Sequence, residues 1–182
     1  MKDIFEVINS RRSVRSYKKE QLTNEEIEKI LNAGIMAPTA MGEQPWHFTV
    51  VQNEKILKEI NLVALENMAK SDNEFLQSIA KNGANILHNA PTVIVVSGRE
   101  NNDYIQADCS AAIENMLLAA EGLDIGSCWI ALFLAYFTDN ESKRKLEIPE
   151  GYTPVYGVTL GYKLEINPGN PNRNKNVVNW LE

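Results

Sequence analysis

The stretch Pro38-Thr39-Ala40-Met41-Gly42-Glu43-Gln44-Pro45-Trp46 decides the fold together with a second one, Arg11-Arg12-Ser13-Val14-Arg15. In the first stretch, which we call the cradle loop, two prolines stiffen the ends while Ala40 and Gly42 keep side-chain bulk low. Its backbone N–H and C=O groups are therefore free to meet the edge of a planar ring, and Gln44 adds a donor and an acceptor. Taken alone, the cradle loop is better explained as an ordinary connection between a helix and a strand.

The second stretch, which we call the arginine box, places three arginines and a serine in a chain whose net charge is −6. Guanidinium groups bind phosphate through two-pronged, charge-assisted hydrogen bonds, and a serine hydroxyl adds a neutral donor. The competing explanation is a solvated basic turn at the end of a helix, where the helix dipole favours positive charge. Neither explanation prevails for the box alone. The two stretches in this order and spacing are not generic, and together they indicate a site for a flat, anionic cofactor.

Length, composition and charge exclude several classes of protein. A chain of 182 residues can bury a full core and is expected to form one domain. Its net charge of −6 and pI near 5.1 argue against binding to nucleic acid or to anionic membranes. The sequence has no apolar run long enough for a membrane span, and residues 1–10 lack the apolar core of a signal peptide. With two cysteines and no CxxC pair, the default expectation is a reducing, cytoplasmic location.

Hydrophobic periodicity predicts helices that alternate with strands. Thr23 and Glu26 form a capping box at the start of the second helix, which must end by Ala37 because proline follows. The apolar run Thr92–Ser97 is typical of a central strand covered on both faces. The other predicted helices are 3–11, 54–69, 73–88 and 104–123, and the other predicted strands are 47–52, 127–132 and 155–162. This irregular alternation favours a layered α+β domain over a doubly wound nucleotide fold.

Common catalytic signatures are absent from the sequence, which contains no GxGxxG, GxxxxGK[ST], HExxH or GxSxG. His47 and His88 have no metal-ligand neighbours at useful spacing, and structural roles explain both better than catalytic ones. Cys109 and Cys128 are expected to be small, buried core residues. We therefore predict no metal site and no catalytic side chain, so that a bound cofactor performs any chemistry.

The chain resembles the FMN-dependent nitroreductase family, essentially from end to end. The segments that carry the resemblance are the arginine box, Ala37–Met41, Gln44-Pro45-Trp46, Gly126–Ile130, Leu160-Gly161-Tyr162 and Arg173. The resemblance implies a three-layer α+β domain, with a mixed, mainly antiparallel sheet and helices on both faces. It further implies an intertwined homodimer with two FMN sites at the dimer interface. Residues 1–182 would form a single domain, in which 165–182 is an extended C-terminal arm with Val177, Val178 and Trp180 able to anchor its end.

The resemblance also assigns roles to residues of this chain. Arg11, Arg12 and Ser13 would contact the FMN phosphate and ribityl chain, and Arg15 would lie near the pyrimidine edge of the ring. The flavin of the other subunit would be reached by Pro38, Thr39, Ala40, Met41, Gly42 and Gln44. Backbone groups near the reactive ring edge would come from Ala131 and Leu132, and Arg173 would complete the phosphate site. Two departures matter: many relatives have asparagine where this chain has Gly42, and Pro171 stands two residues before Arg173.

The function implied is hydride transfer from NADH or NADPH through FMN to a small conjugated acceptor such as a nitroaromatic or a quinone. Residues 66–82 and 132–137 are candidates for the acceptor pocket, although core or dimer packing explains their aromatic residues better. Asn67 and Lys70 are matched to no family contact. The alternatives are another flavin reaction on this scaffold (flavin fragmentation or reductive dehalogenation), a non-enzymatic FMN-binding or redox-sensing module, and a protein-docking surface that binds no flavin.

Overall fold

A four-stranded sheet in the order β1-β2-β4-β3 forms the middle layer, and every pair of neighbouring strands is antiparallel. The strands in this computed structural model, which describes residues 3–165 and 171–182, are β1 (Trp46–Val51), β2 (Thr92–Arg99), β3 (Ile125–Ile130) and β4 (Tyr152–Tyr162). β2 is buried from Thr92 to Gly98, which confirms the predicted central strand. Among these described residues, the parallel pairing is an isolated bridge between Ser13 and Ser127, beyond the outer edge of β3.

Helices cover both faces of this sheet, so the predicted three-layer α+β architecture is confirmed. Val93 and Val95 of β2 pack against the helix Glu54–Ala69 and the 3-10 helix Leu132–Tyr136, whereas Ile94 and Val96 pack against the helices Asn24–Ile35 and Ile105–Gly122 on the other face. The alternation follows from the two-residue period of a strand, which sends successive side chains to opposite faces. The helices are α1 (Ile4–Ser10), α2 (Asn24–Ile35), α3 (Glu54–Ala69), α4 (Glu74–Lys81), α5 (Ile105–Gly122) and α6 (Asn140–Lys145).

Local capping sets the helix boundaries. At the start of α2, the Thr23 hydroxyl accepts a hydrogen bond from the Glu26 N–H, and the Glu26 carboxylate accepts one from the Thr23 N–H. This reciprocal pair satisfies two donors that the first helical turn leaves open, as the predicted capping box requires. α2 then ends at Ile35, within the limit that Pro38 sets.

The helix predicted over residues 73–88 is too long, because α4 ends at Lys81. Asparagine side chains compete with the helix in the next segment: the Asn85 carboxamide oxygen accepts hydrogen bonds from the N–H groups of Leu87 and Asn89. His88 and Asn89 then adopt left-handed backbone conformations, both with φ of 55°. The chain therefore turns sharply before β2 instead of continuing as a helix.

The C-terminal residues contact little of their own chain. Residues 171–182 contain neither helix nor strand, and all of them are exposed. Val177, Val178 and Trp180, the expected anchors, are 70%, 59% and 84% exposed, so no anchoring occurs within one chain. Residues 166–170 of the predicted arm lie outside the described residues. Within residues 3–165 and 171–182, no helix combines the length and apolar character that crossing a bilayer requires.

Candidate cofactor site

The arginine box lies in extended conformation along the free edge of β3. The Val14 N–H donates to the Ser127 carbonyl at 2.8 Å, and Ser13 forms the parallel bridge to Ser127. Because the two segments run parallel, Arg15 lies toward the carboxyl end of β3, where Ala131 follows. The sheet therefore brings the arginine box and the Ala131–Leu132 segment, which are far apart in sequence, to one edge.

Tyr17 fixes the arginine box against the sheet. Its buried hydroxyl donates to the Val14 carbonyl and lies 2.8 Å from the Thr159 hydroxyl, which also lies within hydrogen-bond distance of the Cys128 carbonyl. Burial raises the pKa of Tyr17, and the Thr159 contact opposes this rise in part. The box is thus attached to both β3 and β4 through buried hydrogen bonds.

We expect Tyr17 to make the protein less stable at high pH. A tyrosine in the unfolded chain ionises near its ordinary value of about 10, whereas folded Tyr17 keeps its proton above that pH. Its stabilising contribution is complete below about pH 10, and the free energy of unfolding then falls by about 1.4 kcal/mol per pH unit. Denaturant titrations between pH 8 and 11 measure this slope. Burial also raises the pKa values of Cys109 and Cys128, which add to the slope. Tyr17→Phe should therefore reduce the slope, whereas the exposed control Tyr104→Phe should leave it unchanged; equal slopes in both variants contradict the assignment.

Gly126 allows the close approach of the arginine box to β3. A Cβ atom at this position would lie 2.9 Å from Val14 Cγ1 and 3.1 Å from the Gly161 carbonyl oxygen. Gly126→Ala should therefore lower the free energy of unfolding by about 1–3 kcal/mol, the usual effect of overpacking. Thermal or denaturant unfolding measures this change. Gly122→Ala is the control because its nearest neighbour would be 3.9 Å away; equal stability of the two variants argues against tight packing at Gly126.

The three arginines occupy different environments. Arg11 Nε lies 3.4 Å from Glu114 Oε1 without hydrogen-bond geometry, and this buried nitrogen has no hydrogen-bond partner among the described residues. The Arg12 guanidinium donates to the carbonyls of Asn9 and Arg11, so it caps the end of α1. Arg15 is exposed. The predicted group thus divides into a partly buried cation, a helix cap and an exposed cation.

Arg15 also influences two groups to which the sequence assigned only structural roles. The pKa of His88 is lowered by burial and, to a smaller extent, by the charge of Arg15. Burial raises the pKa of Cys128, and this rise is opposed by Arg15 and by a hydrogen bond with the Ser13 side chain. Cys128 is buried, as predicted. Cys128 and His88 therefore both lie near the arginine box. No local sequence pattern predicts this proximity.

The centre of the cradle loop, residues 41–44, is exposed and conformationally strained. Met41, Gly42 and Gln44 have φ values of 53°, 70° and 47°, and the Met41 side chain is 89% exposed. The left-handed region suits glycine, but it costs a residue with a side chain about 1–3 kcal/mol when the structure imposes it. Gly42 therefore adopts its left-handed conformation at little cost. Met41 and Gln44 adopt theirs only because contacts with other parts of the chain hold the loop.

Those contacts come from neighbouring elements. Asp108 Oδ1 accepts from the Ala40 N–H at 3.1 Å, and the Pro45 carbonyl accepts from the Arg99 N–H at 2.8 Å. Within the loop, the Thr39 hydroxyl accepts from the Gln44 N–H at 3.3 Å. Contacts with the start of α5 and the end of β2 thus hold the cradle loop in one conformation. Its outer surface stays exposed to solvent.

The remaining predicted residues have different surroundings. Ala131 is exposed just after β3, and Leu132 begins the 3-10 helix in which Phe133 and Tyr136 are buried. The core explanation is therefore confirmed for these two aromatic residues. The Asn67 side chain donates to the Ala135 carbonyl at 2.9 Å and so joins α3 to this 3-10 helix. The site role of Arg173, in the exposed segment 171–182, stays a prediction.

One chain brings the arginine box and the cradle loop to the same helix, but they join the sheet at opposite edges. Arg11 contacts Glu114 and Ala40 contacts Asp108, two positions of α5 that are about 9 Å apart along the helix axis. The Trp46 end of the loop begins β1, whereas Ser13 lies beyond β3. Four strand spacings of about 4.8 Å separate those ends by about 19 Å across the sheet, and the register adds an offset along the strands, from the level of Thr153 to that of Leu160 in β4.

Comparisons with known proteins relate the sequence and the fold to one family. Residues 8–162 match the model of the Nitroreductase family. A protein of Archaeoglobus fulgidus, provisionally named an NADH dehydrogenase/NAD(P)H nitroreductase, is 36% identical over 167 residues, which cover 89% of this chain and 86% of the relative. The crystal structure of a Bacteroides fragilis nitroreductase with bound FMN superposes with a TM-score of 0.92 at 33% identity and covers all of both chains. An iodotyrosine deiodinase of Thermotoga neapolitana is 28% identical over 136 residues, 70% of this chain and 73% of that protein.

Proposed function

Because the chain belongs to the nitroreductase family, we propose that it binds FMN and transfers a hydride from NADH or NADPH to a small conjugated acceptor. A nitroaromatic compound or a quinone is the acceptor class that we propose. The observation that carries the proposal is the arginine box, fixed to the edge of β3 in an acidic chain. In this box the buried Arg11 Nε has no hydrogen-bond partner among the described residues, so it is an available donor for a phosphate.

Each part of the site would perform a distinct task. Arg11, Arg12 and Ser13 would bind the phosphate and the ribityl chain. The exposed Arg15 would place positive charge at the pyrimidine edge and so favour negative charge on the ring. Ala131 and Leu132 would supply backbone groups near the reactive edge, and Arg173 would complete the phosphate site. Bound FMN supplies the hydride chemistry itself, so the protein needs no acid–base side chain for the transfer.

The cradle loop would support the ring edge through the backbone and side chains of Pro38, Thr39, Ala40, Met41, Gly42 and Gln44. Its strain supports this role, since strained segments held from outside are common at ligand sites. A loop fixed in advance loses little conformational entropy when a ligand binds, which favours tight binding. Gly42 lacks the side chain that many relatives have there, so this part of the site would rely on backbone contacts.

We propose a homodimer in which each FMN site is shared. Unburied apolar side chains on α1 and in residues 171–182 support a second copy as the covering surface; they are Ile4, Phe5, Ile8, Val177, Val178, Trp180 and Leu181. In this assembly residues 1–182 form one domain, and the arm 165–182 wraps around the partner. The cradle loop of one subunit then reaches the flavin held by the arginine box of the other.

An absorbance spectrum of the purified protein tests the proposal directly. We expect a yellow protein whose released flavin is FMN, and whose visible absorbance bleaches when NADH or NADPH is added without oxygen. Steady oxidation of the nicotinamide with a nitroaromatic or quinone acceptor then identifies the reaction. A colourless protein that gains no flavin spectrum when FMN is added contradicts the proposal.

Reductive dehalogenation is the second candidate, favoured by the similarity to the Thermotoga neapolitana iodotyrosine deiodinase. It would use the same flavin site with a halogenated aromatic acceptor. Release of halide from such a compound, without turnover of nitroaromatics or quinones, would select this reaction. Tight FMN binding with no turnover by any donor would instead indicate a redox-sensing module.

A further inference from the structure

Asp108 is a buried carboxylate whose hydrogen bonding is incomplete. It lies in the first turn of α5 and is only 5% exposed. Its Oδ1 accepts from the Ala40 N–H at 3.1 Å, whereas its buried Oδ2 has no hydrogen-bond partner among the described residues. Burying a carboxylate with an unpaired oxygen is unfavourable, although the helix dipole in this first turn reduces the cost. Packing alone does not explain a charged residue at this position.

The group that Asp108 holds is the start of the strained turn Ala40–Gly42. Thr39 precedes this turn, but its side chain does not cap it. The turn's own backbone hydrogen bonds are long: Gly42 N–H to Thr39 at 3.3 Å and Glu43 N–H to Ala40 at 3.2 Å. These bonds are weak against two left-handed residues, Met41 and Gly42. Asp108 therefore supplies from α5 the capping contact that the turn lacks locally.

We propose that Asp108 is a positioning residue of the cofactor site, which it serves by fixing the cradle loop in the shape that receives the flavin. The inference rests on the proposed function. Asp108 itself touches no part of the cofactor in this arrangement and acts through the Ala40 N–H. Since the cradle loop is proposed to serve the partner's flavin, Asp108 of one subunit controls FMN affinity in the site of the other.

Two substitutions separate the hydrogen bond from the charge. Asp108→Leu keeps the size of the side chain but removes the acceptor, and we expect FMN to bind about tenfold more weakly. Asp108→Asn keeps an acceptor oxygen for the Ala40 N–H, so its FMN affinity should stay within about twofold of the wild type. The control is Asn115→Leu, which removes another α5 hydrogen bond, to the Ala33 carbonyl at 3.0 Å, away from the loop. Titration of each purified apoprotein with FMN, followed by flavin fluorescence, gives the affinities.

Ala40→Pro tests the same contact if Asp108→Leu does not fold. Proline removes the N–H donor, and it is tolerated at the first position of a helical turn that follows an extended residue such as Thr39. The single variant should bind FMN more weakly, and adding Asp108→Leu should weaken binding no further, because both changes remove one interaction. Additive losses would show that Asp108 acts by another route and would overturn the inference.

A mixed dimer tests whether Asp108 acts on the partner's site. Arg11→Ala and Asp108→Leu subunits carrying different affinity tags are produced together and purified through both tags. If each site combines the arginine box of one subunit with the cradle loop of the other, one site of the mixed dimer carries both changes and the other carries neither. We expect one FMN per dimer with wild-type affinity. If the substitutions weakened binding only by damaging the fold of their own subunits, the mixed dimer would have no site of wild-type affinity.

The outcomes distinguish the inference from the proposed function. A wild-type protein that binds no FMN overturns the proposed function and the inference with it. Normal wild-type binding with unchanged affinity in Asp108→Leu, or an equal loss in Asn115→Leu, overturns the inference alone. A mixed dimer with no wild-type site, or tagged subunits that do not copurify, shows that Asp108 does not act across a dimer interface.

Discussion

Arg11→Ala is expected to weaken FMN binding by up to about 100-fold while the chain remains folded. A charge-assisted hydrogen bond contributes about 1.5–3 kcal/mol, and each 1.4 kcal/mol changes affinity about tenfold. The fold should lose little, because the one ion pair of Arg11 among the described residues is with Glu114, whose side chain is 46% exposed, and such pairs contribute about 1 kcal/mol or less. Titration of the apoprotein with FMN, followed by flavin fluorescence, measures the affinity, and circular dichroism confirms the fold.

Arg144→Ala is the matched control for this experiment. It removes the same charge from an exposed position on α6, where the guanidinium contacts only the Asn140 carbonyl among the described residues. FMN affinity should stay at the wild-type value in this variant. Unchanged affinity in Arg11→Ala, or an equal loss in both variants, would show that the arginine box does not bind the phosphate.

Deletion of Val177–Glu182 should convert the proposed dimer into a monomer and abolish FMN binding. The deleted segment contains four apolar side chains that are largely exposed in one chain, including Trp180 at 84% and Leu181 at 99%. Burying such a side chain contributes about 1.5–3 kcal/mol, and a twofold-symmetric dimer makes each contact twice. Because each site is proposed to need both subunits, loss of the dimer should release the flavin. Light scattering coupled to gel filtration measures both the mass and the bound flavin.

The control for the deletion is Asn179→Ala, which changes a polar side chain in the same exposed segment. This variant should remain a dimer with FMN bound. A deleted protein that stays dimeric and yellow would mean that the interface does not depend on these residues. A monomeric wild-type protein that binds FMN would contradict the shared site itself.

The sequence predicted the layers of the fold well, because their determinants are local. The Thr23–Glu26 capping box and the proline at position 38 set the bounds of α2. The apolar run at Thr92–Ser97 was sufficient to predict a strand inside the sheet. Prediction failed at residues 82–88, where the Asn85 side chain stabilises a turn that hydrophobic periodicity does not reveal.

The candidate site was only partly predictable, because several of its determinants are tertiary contacts. The hydrogen bond from Ala40 to Asp108 joins residues 68 positions apart, and no local pattern marks either member. Arg12 was grouped with its neighbours by charge, yet it donates to backbone carbonyls at the end of α1. The left-handed conformation of Gly42 follows from residue type, whereas that of Met41 depends on contacts that hold the loop from outside.

The strand order of the sheet also determines when the chain can assemble during its synthesis. β3 is complete at Ile130, but its neighbour β4 is not complete until Tyr162. At about 5–20 residues per second, a ribosome needs roughly two to six seconds to add the 32 residues between those positions. Although the arginine box is among the first segments made, it must wait for this late strand before its edge of the sheet is in place. A ligand that needs the box in position therefore binds only after β4 has been synthesised. Newly made chains spend that interval without bound ligand.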